Sequence, residues 1–233
     1  MARKNINIDD IMSHLSDICD LLTPEEKQLL EKHATVHTFK KNGIIYETGD
    51  VRAYLHCLVS GKVKVSKEGV GGRAQIVRVI KPVEYFGYRP AFAGEKYASV
   101  ASAFEQSVIV KIPIGTVMRL LMENARLGLF FIERLASDLG KADSRTVNLT
   151  QKHIRGRLAE ALLCLRDSYG LEEDGSTLSI YLSREDLANL SNMTTANAIR
   201  TLSAFASEKL LAVDGRKIKL MDVPGLEKIS RIG

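Results

Sequence analysis

The sequence predicts an α+β chain in three parts: a β-rich N-terminal half of jelly-roll type, a long central helix, and a helical C-terminal segment closed by a hairpin. Three observations carry this. Between Thr35 and Pro113, short runs rich in β-branched residues alternate with glycines. From Pro113 to Tyr169 the apolar spacing becomes helical, and beyond Leu178 two short capped helices precede a turn flanked by strand-like residues. No low-complexity linker intervenes, and the expected boundaries are 1–124, 125–149 and 150–233.

Taken in order, Ile8 to His33 reads as short helices. Thr23-Pro24-Glu25-Glu26 supplies an N-cap, a proline in the first turn and acids near the positive end of the dipole. The strands expected next are Leu55 to Val59, Lys62 to Ser66, Gln75 to Ile80 and Ser107 to Ile112, punctuated by Gly43, Gly49, Gly61, Gly69, Gly71, Gly72, Gly87 and Gly94. Many short strands with regular turn signals indicate a β-sandwich or jelly roll.

In the central helix, Ile132, Leu135, Leu139, Ala142, Thr146 and Leu149 follow a 3-4-3-4-3 spacing. That is an a/d seam, with Glu133, Arg134, Asp138, Lys141 and Arg145 outside it. The seam suits an identical helix across a twofold axis, and equally a stripe packed on the chain's own β-domain. Homodimerisation is the expectation, on the strength of the C-terminal segment.

There, Leu178 to Leu182 reads as a brief strand, and Ser183-Arg184-Glu185-Asp186 opens a helix with a capping hydroxyl three residues before an acid. Asn192 tolerates the left-handed turn, and Ala188 permits a close helix crossing. Thr194 caps a second helix, in which Ile199, Leu202 and Phe205 are expected in the core and Thr195, Ala196, Asn197 and Arg200 outside. Ala212 to Leu220 is a hairpin with Asp214-Gly215 as its turn and Arg216, Lys217 and Lys219 on one strand. Strand, helix, turn, helix, hairpin is a winged helix-turn-helix, the arrangement that places a second helix in the DNA major groove. An ordinary helical hairpin with a polar surface has the same pattern. The basic wing and the cluster Lys152, His153, Arg155, Arg157 favour double-stranded DNA.

Composition sets outer bounds. No stretch reaches the roughly 20 apolar residues of a membrane span, and Met1 to Asp10 is polar and unlike a signal peptide, so a cytoplasmic protein without membrane contact is expected. Cys19, Cys57 and Cys164 are far apart and odd in number, which fits reduced packing thiols rather than a disulfide framework, a zinc ribbon or an iron–sulfur cluster. The net charge of +5 is compatible with a polyanionic partner but does not specify one.

Almost the whole chain resembles the cyclic-AMP receptor protein and FNR (Crp/Fnr) family of bacterial transcription regulators. Phe39 to Asp50 resembles that family's first β-turn element, Leu55 to Val65 with Gly61 its next hairpin, Ile154 to Ala159 with Leu162 and Leu163 the start of its DNA-binding domain, and Ser183 to Leu211 its helix-turn-helix. The resemblance implies a cyclic-nucleotide-binding-like β-roll as sensor, a long dimerisation helix, recognition helices in successive major grooves, work alongside RNA polymerase, and no enzymatic activity.

Departures from the family pattern limit what carries over. In cyclic-AMP-binding members the phosphate cassette has Gly-Glu-Leu followed by Arg-Ser; here the corresponding run is Gly87-Tyr88-Arg89-Pro90, then Glu95-Lys96-Tyr97-Ala98-Ser99. Tyr88 stands where the ribose-binding glutamate is expected, and Lys96 lacks arginine's bidentate fork. The adenine-contacting hydroxyl pair is replaced by Ala142 and Asp143. Cyclic AMP is therefore not expected to bind, and the N-terminal cysteine cluster of the FNR branch is absent, so the effector is left unidentified. Arg89, Lys96 and Tyr97 could hold another anion, or the pocket could be filled. The family's Arg-Glu reading pair is Thr195-Ala196, while Arg200 remains, so a different operator is expected.

Two rival classes share parts of this pattern. A cupin-like metal enzyme would need clustered ligands, and among His14, His33, His37, His56 and His153 only His33 and His37 are near neighbours, at a helical i, i+4 spacing read as a surface pair. In a non-DNA interaction module, the wing would contact protein.

Overall fold

The computed structural model describes residues 15–232. The expected helical stretch from Ile8 is seen from α1 (Ser16–Cys19) onward; its earlier part, His14 included, lies outside the described residues. Helix α2 (Pro24–His33) starts in a complete capping box: the Thr23 amide donates to Glu26 Oε2 (2.8 Å) and the Glu26 amide to Thr23 Oγ1 (3.3 Å).

Two four-stranded antiparallel sheets follow. One has the order β1 (Thr35–Phe39), β8 (Ser107–Pro113), β3 (Tyr54–Ser60), β6 (Tyr85–Phe86); the other runs β2 (Ile44–Tyr46), β7 (Val100–Ala103), β4 (Val63–Glu68), β5 (Ala74–Ile80). Neighbouring strands distant in sequence, such as β1 beside β8, mark the jelly-roll winding. Alternation assigns the faces of the first sheet. Leu55, Cys57 and Val59 join Val110, Ile112 and Tyr85 in a core shared with Ile18, Leu30, Leu120, Leu127 and Phe131 from flanking helices. The intervening His56 pairs in register with Lys111 on one side and Phe86 on the other, on the opposite face. A short helix α3 (Arg89–Phe92) leaves β6, and α4 (Ile114–Glu123) leads into the long α5 (Ala125–Gln151).

The C-terminal part contains α6 (Ile154–Tyr169), α7 (Arg184–Leu190), α8 (Thr195–Ser207), the hairpin β9 (Leu211–Asp214) and β10 (Lys217–Leu220), and α9 (Val223–Ile232). The described residues divide into two compact units. One takes those up to Ser66 with Arg78–Leu139, the other Lys67–Val77 with those from Gly140 on.

Three expectations need correction. Leu178 to Leu182 is not a strand: only isolated bridges join Leu171 to Leu178 and Thr177 to Lys219, because the segment's amides are shared with the wing, Leu178 N donating to Ile218 O at 2.9 Å. The hairpin loop is Gly215-Arg216 rather than Asp214-Gly215, since Asp214 pairs with Lys217; Gly215 takes the positive φ (55°) at the first loop position. His33 and His37 share no helix, His33 ending α2 and His37 lying in β1. Each is held locally, His33 Nδ1 2.8 Å from Leu29 O and His37 Nε2 3.1 Å from Thr35 Oγ1.

Candidate nucleic-acid interface and sensor cassette

The helix-turn-helix is assembled by side chains that close each helix end. Ser183 Oγ accepts the Asp186 amide (3.0 Å) and donates to its carboxylate (2.7 Å). Ser191 Oγ donates to Leu187 O, Asn192 takes φ 49°, and Met193 N returns to Ala188 O at 3.0 Å. Thr194 Oγ1 accepts the Asn197 amide at 3.2 Å to start α8. Leu187, Ala188, Leu190, Met193, Ala198, Leu202 and Phe205 bury one side of this pair of helices. Ala188 and Ala198 have almost no exposure, as a close helix crossing requires.

On the other side of α8, Thr194, Thr195, Ala196 and Arg200 are exposed and Asn197 is half-buried. Ile199 also lies outside, 46% exposed, where a core position was expected. The buried line runs Ala198, Thr201, Leu202, Phe205, so a 3.6-residue period turns Ile199 away. Arg200 donates to Asn197 Oδ1 at 2.6 Å, one turn earlier on the same face. The wing alternates as a half-buried strand, with Ile218 and Leu220 inside and Lys217 and Lys219 exposed. Arg216 is exposed, Lys217 lies over the Tyr181 ring (5.5 Å) and Lys219 pairs with Asp174 (3.3 Å). Arg184 ties the wing turn to α7 through Gly215 O at 2.7 Å.

The cluster counted toward DNA in the sequence is largely engaged inside the fold. Arg155 forms a two-pronged pair with Glu208 (2.8 and 2.7 Å), Lys152 pairs with Glu160 (3.2 Å), and Arg157 donates to Leu149 O (3.2 Å). Arg145 gained no role from the sequence. Its half-buried guanidinium donates to Leu190 O (3.0 Å), Ile76 O (2.5 Å) and Val77 O (3.2 Å), so it satisfies the last carbonyl of α7. Along α5, Ile132 and Leu139 are 62% and 64% exposed and Ala142 and Thr146 are exposed, whereas Leu135 packs partly on the core and Leu149 is half-buried.

The cassette residues do not converge. Gly87, at φ 81°, passes so close to His56 that a Cβ there would meet Nδ1 at 2.6 Å. Tyr88 turns inward, 2% exposed, its ring against Phe92 and Phe131 and its hydroxyl donating to Asp138 Oδ2 at 3.3 Å. Asp138 also pairs with Arg78 at 3.0 Å. Burial, and then the Asp138 charge, push the Tyr88 hydroxyl's pKa up. Arg89 pairs with Glu95 at the surface (3.4 Å), Lys96 is exposed and Ser99 half-buried. Tyr97 is buried, stacked on Tyr46 (3.9 Å, 14°), with its hydroxyl donating to the carbonyls of Tyr54 and Gly87. Ala142 and Asp143 are exposed on α5. Arg78 and Asp138 left no motif in the sequence, since their pairing depends on bringing β5 to the long helix. Among the described residues no three His, Cys, Asp or Glu side chains gather as metal ligands, and no helix is long and apolar enough to cross a membrane.

Residues 36–124 match the family model for a cyclic nucleotide-binding domain and residues 156–229 that for a Crp-like helix-turn-helix domain. The chain is 26% identical over 186 residues to the global nitrogen regulator of Nostoc sp., covering 78% of this chain and 83% of that protein. It is 21% identical over 225 residues to a CRP-like cAMP-activated global transcriptional regulator of Mycobacterium tuberculosis, covering 96% of this chain and all (100%) of that protein. The solved structure of FixK2 from Bradyrhizobium japonicum superposes with a TM-score of 0.76 at 21% identity, over 84% of this chain and 96% of that one. A β-roll matched by the one family model, a capped helix-turn-helix with a wing matched by the other, and a long helix between the two identify the chain as a member of the Crp/Fnr family of transcription regulators.

Proposed function

We propose that this chain is a non-enzymatic, cytoplasmic regulator that binds duplex DNA sequence-specifically as a homodimer, with α8 as the reading element. The observation that carries the reading is the N-terminal face of α8. There Thr195, Ala196, Asn197 and Arg200 stand outward on a helix whose opposite side is buried and whose first turn is capped by Thr194. A groove-reading helix needs such a face presented on a rigid support. Arg216, Lys217 and Lys219 then supply phosphate contacts, which position the protein without specifying sequence. The exposed Ile132, Leu139, Ala142 and Thr146 of α5, with Leu135 and Leu149 at their margin, support pairing with a second copy. On this reading 1–124 is the sensor, 125–149 the dimer helix and 150–233 the DNA-binding part, and RNA polymerase is the expected partner in transcription. Because Tyr88 is turned to an internal partner, Arg89 pairs with Glu95 at the surface and Lys96 lacks a bidentate fork, cyclic AMP is expected to bind no tighter than about millimolar, or about −4 kcal/mol, by calorimetry.

Selection of bound sites from random duplex DNA, with affinities measured at two salt concentrations, tests the central reading. A near-palindromic site and a steep log–log salt dependence are expected. Salt-insensitive or sequence-indifferent binding would overturn it. Light scattering tests the assembly: a dimer is expected, dissociated by Leu139→Glu, and a monomer unaffected by that substitution would refute the pairing.

A further inference from the structure

The β-roll holds a cavity of about 190 Å³, open to solvent, lined by Tyr46, Tyr54, His56, Tyr97, Lys111 and Asp50, with Ile45, Val51 and Ala53 completing its wall. It shares Tyr97 with the cassette but not Arg89 or Lys96. Tyr97 and Tyr46 stack at 3.9 Å, and both Tyr97 hydroxyl bonds go to backbone carbonyls, so this wall is fixed and presents aromatic surface. The loop at the rim is clipped to the same residue, Gly49 N donating to Tyr97 O (2.8 Å) and Tyr97 N to Asp50 O (3.2 Å). His56 sits on the cavity wall 2% exposed, stacked on Phe86 at 5.0 Å, and is held neutral by burial.

The charged group is Lys111. Its ammonium lies 5.2 Å from the Phe39 ring centre and 5.5 Å from that of Tyr54. Among the described residues no carboxylate pairs with it, and burial lowers its pKa. The one acid lining the cavity, Asp50, is exposed, and its Oδ2 accepts the Glu47 amide at 2.8 Å. A partly desolvated ammonium between ring faces, beside a stacked tyrosine wall, is complementary to a flat molecule with a single negative charge. The volume is below the roughly 300–1,000 Å³ of pockets for drug-sized ligands, which restricts the occupant to about one ring.

We infer that this cavity is a binding site for a small aromatic monocarboxylate, whose carboxylate meets Lys111 and whose ring lies along Tyr46, Tyr54 and Tyr97. The inference deepens the reading of the β-roll as a sensor and places its ligand at the tyrosine wall, away from Arg89 and Lys96.

Benzoate is the probe, titrated into the full-length protein by calorimetry without DNA. One site per chain is expected, with inorganic phosphate giving no binding and cyclohexanecarboxylate, which lacks the flat ring, binding several-fold more weakly. Lys111→Met should weaken benzoate about tenfold or more, Lys111→Arg much less, and the exposed control Lys81→Met not at all. A second readout uses the native protein. The chain has no tryptophan and seven tyrosines, three of them at this wall, so benzoate should alter the intrinsic tyrosine emission. Absence of binding at about 10 mM benzoate, equal binding of phosphate, or affinity unchanged by Lys111→Met would overturn the assignment. Should that variant fail to fold, loss of affinity in Tyr54→Leu, at the solvent-facing side of the wall, replaces it, and unchanged affinity there is equally fatal. Benzoate binding with no DNA binding would refute the regulatory reading alone, and DNA binding with no benzoate binding would refute this site alone.

Discussion

On α8, Thr195, Ala196 and Arg200 face outward and Thr194 accepts the Asn197 amide, so capping asks nothing of the reading face, whose side chains make the Arg200–Asn197 bond. In the cassette the same kinds of group are turned to the fold: Tyr88 to Asp138 and Asp138 to Arg78. A helix-turn-helix keeps polar side chains for a partner by completing its caps locally, with residues three or four apart. A pocket whose side chains find partners across the fold becomes part of the core, and its residues then govern stability in place of recognition. Substitutions should separate the two regions by what they disturb.

The largest effect is expected at Gly87. An added methyl would meet His56 Nδ1 at 2.6 Å on a backbone at φ 81°, so Gly87→Ala should lower stability by roughly 2–4 kcal/mol. Denaturant midpoints measure this, and an unchanged midpoint would show that the cassette backbone yields freely. Next comes Arg200→Ala, expected to cost roughly 1–3 kcal/mol per half-site and to relax preference at one base pair. Lys217→Ala should weaken all sequences alike and lower the salt slope by about one. An unchanged ranking of operator variants, with a lowered melting temperature, would make Arg200 a brace for the helix and break the comparison.

His56 is expected to shape the acid limb of stability. Burial, and then the Lys111 ammonium, press its pKa down to about 3, whereas an unfolded chain protonates it near 6.5. Between these values the unfolded state binds more protons, so the contribution is intact above about 6.5 and is lost as the pH falls toward 3, at about 1.4 kcal/mol per pH unit. The difference in unfolding free energy between the native protein and His56→Gln, followed from pH 7 to 4, should show that slope; a difference independent of pH would mean that the site opens to water. The smallest effect is that of Tyr88→Phe, which removes one hydrogen bond to Asp138 and should cost about 0.5–1.5 kcal/mol of stability. Operator ranking should be untouched by it, and a changed ranking would tie the cassette to recognition.

Much of the fold was legible because its signals are local. The Thr23 box, the Ser183 and Thr194 caps and the left-handed Asn192 are set by residues three or four apart, and the four strands read from β-branched runs lie within a residue or two of those observed. Ile199 misled because an apolar residue on a short amphipathic helix can fall on either side of the boundary, and the neighbouring Ala198 fills the close crossing instead. The basic cluster at Lys152 to Arg157 shows a different limit: a charge count does not reveal that Glu160 and Glu208 will lie opposite.

Residue types and short spacings were enough for the order of parts, the capped helix-turn-helix with its basic wing, and the departures that argue against cyclic AMP. Which polar groups remain for partners follows from the packing of the folded chain. The Tyr88–Asp138–Arg78 chain joins residues 50 positions apart and more, and the Lys111 cavity brings together three strands and two loops. Pairing at such separations is set by how sheets and helices pack, and burial then fixes which charges must find a partner within the fold and which are left facing water.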